Sequence, residues 1–93
     1  MIYSVVISKN AAKILTKVPA HLVDKLRFWI DGVEIKGLSA MQQIAGYRDH
    51  KLKGERAHQR SISLNMLWRA IYTVDVNGEL TLVSIEEVTP HRY

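Results

Sequence analysis

The sequence predicts an α+β fold: an N-terminal strand and an α-hairpin packed on one face of an antiparallel sheet of four to five strands. Three observations carry this. Residues 1–46 contain two stretches whose apolar residues recur three and four apart, the signature of amphipathic helices. From Tyr47 onward the pattern changes to short runs rich in Tyr, Ile, Leu, Val, Thr and Trp, each of strand length. Asn77-Gly78 separates the last two runs and marks a tight type I′ hairpin.

Ile2 to Ile7 is apolar and β-branched and forms the first strand. Ser8 ends it as the N-cap of a short helix whose inward side is Ala11, Ile14/Leu15 and Val18. Pro19 suits the first turn of the second helix, in which Leu22, Leu26, Trp29/Ile30 and Val33 make the apolar face. Gly37 closes that helix in the manner of a C′ glycine. Ser39 to Ala45 reads either as one or two further helical turns or as an ordered loop. Residues 47–53, 60–65, 68–75 and 80–88 are the strands of an antiparallel meander, whose face away from the helices is left for a ligand.

With 93 residues, 47% of them hydrophobic, the chain is expected to form a single domain over 1–93, so any site lies on the surface of one core. The absence of cysteine excludes disulfides and thiolate zinc sites. Neither a signal-peptide pattern nor an apolar run near the roughly 20 residues of a membrane span is present, so a cytoplasmic protein without membrane contact is expected. The net charge of +4 is uneven: residues 47–60 carry five Lys/Arg against two Asp/Glu, whereas residues 61–93 carry two against four. Such a basic stretch suits phosphate, and equally an acidic protein partner.

Cutting RNA through its own 2′-hydroxyl needs a base for that proton, cations for the charge gathering on phosphorus, and an acid for the departing 5′-oxygen. Each role has candidates in this sequence. His91 is the choice for acid or base because imidazole titrates near neutrality, and Tyr93 can stack on a base or position the phosphate; the bland alternative for His91-Arg92-Tyr93 is a frayed chain end. His50, Lys51 and Lys53 fall on one predicted strand, where a period of two puts His50 on one face and both lysines on the other unless the strand bulges or ends before Gly54. Lys53 is a phosphate clamp or a base, against the alternative of a solvated edge strand. Arg60 is the first choice as transition-state clamp. Arg56 also offers a phosphate-matching guanidinium. Arg69 reads either as another such group or as a structural arginine paired with Glu86 or Glu87, with the second favoured. Trp68 and Tyr72 share a parity that suits packing, His58 reads as a loop residue and His21 as a helix-surface one. The histidine spacing, with no His-x-x-x-His pair, gives a metal site no support.

The runs His50-Lys51-Leu52-Lys53-Gly54-Glu55-Arg56, Arg60-Ser61-Ile62-Ser63-Leu64-Asn65, Trp68-Arg69-Ala70-Ile71-Tyr72 and Glu87-Val88-Thr89-Pro90-His91-Arg92-Tyr93 resemble the RelE/ParE superfamily of bacterial toxins, most closely its HigB and RelE type. The resemblance spans nearly the whole chain and implies that the sheet is curved. It further implies a ribosome-dependent endoribonuclease that cuts messenger RNA in the ribosomal A site without a metal or small-molecule cofactor, and a cognate antitoxin of the helix-turn-helix, HigA-like kind that silences it. His50 and Lys53 match family positions tied to cleavage, and His91 and Tyr93 match an ending whose histidine is acid or base and whose tyrosine orients the RNA. With Arg60 these form the expected catalytic set. Arg48, Lys51, Arg56, Arg69 and Arg92 are the expected contacts to RNA and ribosome. Many relatives carry an arginine in or just after the third strand; Ser63 and Asn65 stand there instead, leaving Arg60 or Arg56 to supply the charge. The general base stays open between His50, Lys53 and Glu55. Two other readings share the resemblance: a ParE-like toxin that inhibits DNA gyrase without cutting RNA, and an inactive basic interaction domain held by an antitoxin.

Overall fold

The computed structural model describes residues 1–90, so the roles expected of His91, Arg92 and Tyr93 lie outside the described residues. Strand β1 (Ile2–Ile7) leads into helices α1 (Lys9–Leu15), α2 (Ala20–Lys36) and α3 (Leu38–Gln42). After a single 3-10 turn at Ala45–Tyr47 come β2 (His50–Lys51), a second 3-10 turn at Gly54–Arg56, and β3 (Arg60–Ser63), β4 (Trp68–Asn77) and β5 (Leu80–Pro90). The uncertain segment after Gly37 is thus a short helix followed by a 3-10 turn. No helix among the described residues is long and apolar enough to cross a membrane.

The local signals act as their chemistry dictates. Ser8 caps α1, its hydroxyl accepting from the Ala11 amide at 3.0 Å. Pro19 stands one residue before α2, at the N-cap, where its missing N–H costs nothing and its carbonyl accepts from Leu22 and Val23. Gly37 ends α2 at φ 94°, and a Cβ there would sit 3.2 Å from the Tyr3 ring, so both backbone and packing call for glycine.

The sheet order is β1-β5-β4-β3-β2. The β2–β5 meander is antiparallel as expected, but β1 joins it parallel to β5, from Ile2 opposite Leu80 to Ile7 opposite Ile85. Parallel pairing is possible because the α-hairpin and the meander together supply the crossover. On the outer edge of β1, the Val5 amide donates to Glu34 of α2 at 3.1 Å, which occupies a donor that would otherwise invite another strand. Between β4 and β5 only Gly78 and Glu79 intervene, and only Gly78 has positive φ (64°). A type I′ turn needs positive φ at both central residues, so the hairpin meets the type II′ requirement instead, with glycine first.

The helices cover one face, and the core lies between them and the sheet. Trp29 is wholly buried and meets Tyr72 of β4 with ring centroids 4.9 Å apart at 51°, a tilted pair worth about 0.5–1.5 kcal/mol beyond its burial. Leu22, Leu26 and Val33 of α2 join Ile62, Ala70, Val83, Ile85 and Val88 of the sheet in the same cluster. A register shift between Ile71 and Tyr72 leaves Glu86 as an extra residue on β5, a bulge of the kind that bends a sheet.

Candidate active site on the outward face of the sheet

Directly paired residues in a sheet point to the same side, and neighbours along a strand to opposite sides. Ile62, Ala70, Tyr72 and Val88 belong to the helix-side core, so the residues between them face outward. One outward rung runs His50, Ser61, Ile71, Glu87 across β2 to β5, and the next runs Ser63, Arg69, Thr89. At a strand spacing of about 4.8 Å, His50 and Glu87 stand about 14 Å apart at the backbone, so long side chains must reach inward to converge.

One such side chain comes from the β2–β3 connection. The Leu52 amide donates to the Gln59 carbonyl at 3.0 Å, folding the segment back on itself, and Arg56 donates to Gln59 at 2.6 Å and to Glu87 at 2.7 Å. The segment therefore arches over β3 and β4 to reach β5. Ser61 and Ile71, 1% and 0% exposed, are on the same rung as Glu87, and neither belongs to the helix-side core.

Arg69 differs from its favoured reading. Glu87 is engaged by Arg56, and Glu86 accepts from the Thr73 hydroxyl at 3.0 Å. Arg69 is paired with Thr89, not with either glutamate. Its Nε is buried with no hydrogen-bond partner among the described residues. It is paired directly with Ser63, so a guanidinium is present one strand away from the place where the family pattern expects an arginine.

His50 is exposed on the edge strand, its Nδ1 2.8 Å from the Arg48 carbonyl. A carbonyl only accepts, so Nδ1 carries a proton and Nε2 is left to give or take another. Arg48 presents that carbonyl from a left-handed conformation at φ 47°, unique among the non-glycine residues described. A non-glycine residue pays for that conformation with about 1–2 kcal/mol. Strand β2 ends at Lys51, so Lys53 is freed from strand parity, as the following glycine suggested; it is exposed in extended backbone at the start of the arch.

Arg60 and Lys51 are on the other side. They pair with each other, and Arg60 pairs with Tyr72, on the helix-facing parity. Arg60, expected as the phosphate clamp, donates its Nε to Asp49 at 2.7 Å; the Asp49 side chain is 0% exposed. The Tyr72 hydroxyl donates to the other Asp49 oxygen at 2.6 Å and accepts from Gln42 of α3 at 3.1 Å. The structure thus brings His50, Arg69 and Arg56 to one face, and sets Arg60 in a buried network behind it. Burial alone would lower the Arg60 pKa, but the hydrogen bond and charge of Asp49 outweigh it and hold the guanidinium above its ordinary value. Sequence reasoning missed Asp49 and Gln42 as members of this region, and named Glu87 only as a partner of Arg69, whereas Arg56 engages it. The only signal was the alternation that puts Asp49 and His50 on opposite sides.

Burial, reinforced by the bond to Asp49, raises the Tyr72 pKa well above the ordinary 10.0, and burial raises that of Tyr47. Above pH 10 the unfolded chain would release protons that the folded chain keeps, so stability is full below pH 10 and falls as pH rises beyond it. Tyr72→Phe is expected to flatten this alkaline decline, at a cost of about 1–3 kcal/mol at neutral pH for the Asp49 and Gln42 groups left short of a partner. Urea unfolding of both proteins from pH 7 to 11 measures both effects.

A scan against family models finds no match, and neither does a search of the curated proteins. Solved structures do match over nearly their full length. A YoeB/ParE toxin from Agrobacterium tumefaciens is 16% identical with a TM-score of 0.73, covering 96% of this chain and 99% of that one. The DinJ-YafQ toxin-antitoxin complex of E. coli gives 19% identity and a TM-score of 0.72, covering 98% and 94%. A RelBE toxin-antitoxin complex from Mycobacterium tuberculosis gives 21% and 0.68, covering 98% and 100%. With a five-stranded sheet, helices on one face and full-length coverage of these structures, the chain has the fold of the RelE/ParE-like toxins.

Proposed function

We propose that this chain is the toxin of a type II toxin–antitoxin module and that it cleaves messenger RNA in the ribosomal A site by metal-independent acid–base chemistry. The observation that carries this reading is Arg69: a buried guanidinium nitrogen without a partner among the described residues, on the outward face of a toxin fold, one rung from His50. Buried polar groups are nearly always satisfied, so a guanidinium nitrogen left without a partner calls for an acceptor. The phosphate of the RNA supplies it.

In this scheme His50 on the outward face, or Lys53 at the start of the arch, takes the 2′-hydroxyl proton. The 2′-oxygen attacks phosphorus, Arg69 and Lys53 stabilise the added charge, and His91 protonates the departing 5′-oxygen while Tyr93 orients the RNA. Arg48, Lys51 and Arg92 contact RNA or ribosome. Arg56 holds the arch to Glu87, and Arg60 serves the scaffold rather than the phosphate. A cognate antitoxin silences the chain, a partner class supported by the complexes in which similar structures are found.

Purified protein is expected to cut message when ribosomes are present and to leave it whole without them. His50→Ala is expected to slow that cutting about a hundredfold. Intact message together with loss of gyrase supercoiling activity would overturn the reading in favour of a ParE-like toxin.

A further inference from the structure

Beside His50 the edge of the sheet meets α2 in a cleft of about 300 Å³. Its walls come from four separate places: Lys25 on α2, Gly46 and Arg48 at the first 3-10 turn, His50 on β2, and Ser63, Asn65 and Met66 at the end of β3 and the turn after it. No carboxylate lines it. The Asn65 oxygen already accepts from the Leu67 and Trp68 amides at 2.8 and 2.6 Å, so what Asn65 has left to offer is its amide donor. The Lys25 ammonium is held 5.2 Å from the centre of the Tyr47 ring, and the Tyr47 hydroxyl bonds back to the Lys25 carbonyl at 2.7 Å, which fixes helix and turn to each other. Arg48 is set here by its left-handed backbone, and Met66, 80% exposed, adds a soft apolar wall.

The polar inventory is therefore three cationic or cation-capable groups and two neutral donors. That chemistry selects an anion. The volume is at the lower end for small-ligand sites, enough for one nucleotide and too little for a duplex. Ser63 links the cleft to the proposed reaction site, since it lines the cleft and is paired directly with Arg69.

We infer that this cleft is a nucleotide subsite, in which Lys25 and Arg48 grip the phosphate of the nucleotide next to the one being cut and Met66 supports its base. The inference rests on the RNA reading above and assigns binding, not chemistry, to Lys25. A base held against a flexible thioether is read by its flat face, so the subsite contributes affinity with little base preference.

A trinucleotide with every 2′-hydroxyl methylated cannot be cut, so its binding to the full chain is measured apart from catalysis. Lys25→Gln and Arg48→Asn, the latter keeping a residue that tolerates left-handed backbone, should each weaken binding about three- to tenfold and reduce the salt-dependence slope by about 0.7, the value for one phosphate contact on a single strand. Lys9→Gln, an exposed lysine on α1, should change neither. In NMR spectra the amides of Gly46, Arg48 and Asn65 should shift with the trinucleotide and shift less with inorganic phosphate. Equal effects of Lys25→Gln and Lys9→Gln would overturn the subsite, as would tight binding of a polyglutamate peptide with none of the trinucleotide. Ribosome-dependent cutting that survives Lys25→Gln alongside unchanged binding would sink the subsite and leave the nuclease reading standing. Normal binding without any cutting would do the reverse.

Discussion

Arg69→Ala is expected to slow ribosome-dependent cleavage by about 10²–10³-fold, while the melting temperature holds or rises. The first effect is the usual one for removing a preorganised donor aimed at developing charge, about 3–4 kcal/mol of barrier. The second comes from the buried Nε, which has no acceptor among the described residues. A desolvated donor without a partner weighs against the folded state, and its deletion relieves that burden. Arg69→Lys keeps the charge but not the planar fork, so it should recover only part of the rate. Single-turnover cleavage on programmed ribosomes gives the rate and thermal unfolding gives the stability. A parallel fall in both would mark Arg69 as part of the scaffold.

Asp49→Ala is expected to destabilise the fold by about 2–4 kcal/mol, with a fall in melting temperature of about 10–20 °C. The loss arises from what remains: the Arg60 guanidinium and the Tyr72 hydroxyl each lose an acceptor that is wholly shielded from water. Arg60 is 32% exposed at its side chain, so water offsets part of the penalty on that side. Breaking one half of such a pair costs more than the pair is worth, which gives a sharper form of the test. Asp49→Leu combined with Arg60→Met should recover most of the stability lost by either alone. Denaturant titration of the single and double variants measures this, and strict additivity would show that the two side chains do not act together.

Strand β1, the faces of α1 and α2 and the presence of the meander were legible because each rests on local chemistry: β-branched residues, apolar spacing, a serine cap, a glycine stop. The parallel partnership of β1 was not, since pairing partners depend on tertiary packing. The bulge at Glu86 was equally hidden, and it shapes the site by placing Glu87 on the outward face, where Arg56 engages it. Alternation along the second strand did separate His50 from Lys51, and the early strand end at Lys51 freed Lys53. What the sequence could not reveal was that β3 begins on its helix-facing parity. That single phase turns Arg60 away from the outer face and toward Asp49, and leaves Arg69 there beside Arg56 from the arch.

The parallel union of β1 with β5 also orders events during synthesis. Ser8 and Glu86, hydrogen-bonded to each other, are 78 residues apart, and β5 is the strand that β1 and β4 both require. A chain emerging from the ribosome therefore carries its first strand unpartnered until residues 80–90 are free of the exit tunnel. Contacts between such distant segments are slow to form because a long loop must close first. A half-made copy lacks the two strand positions, Glu87 and Thr89, that complete the outward rungs, so that face is finished only when the last strand is in place.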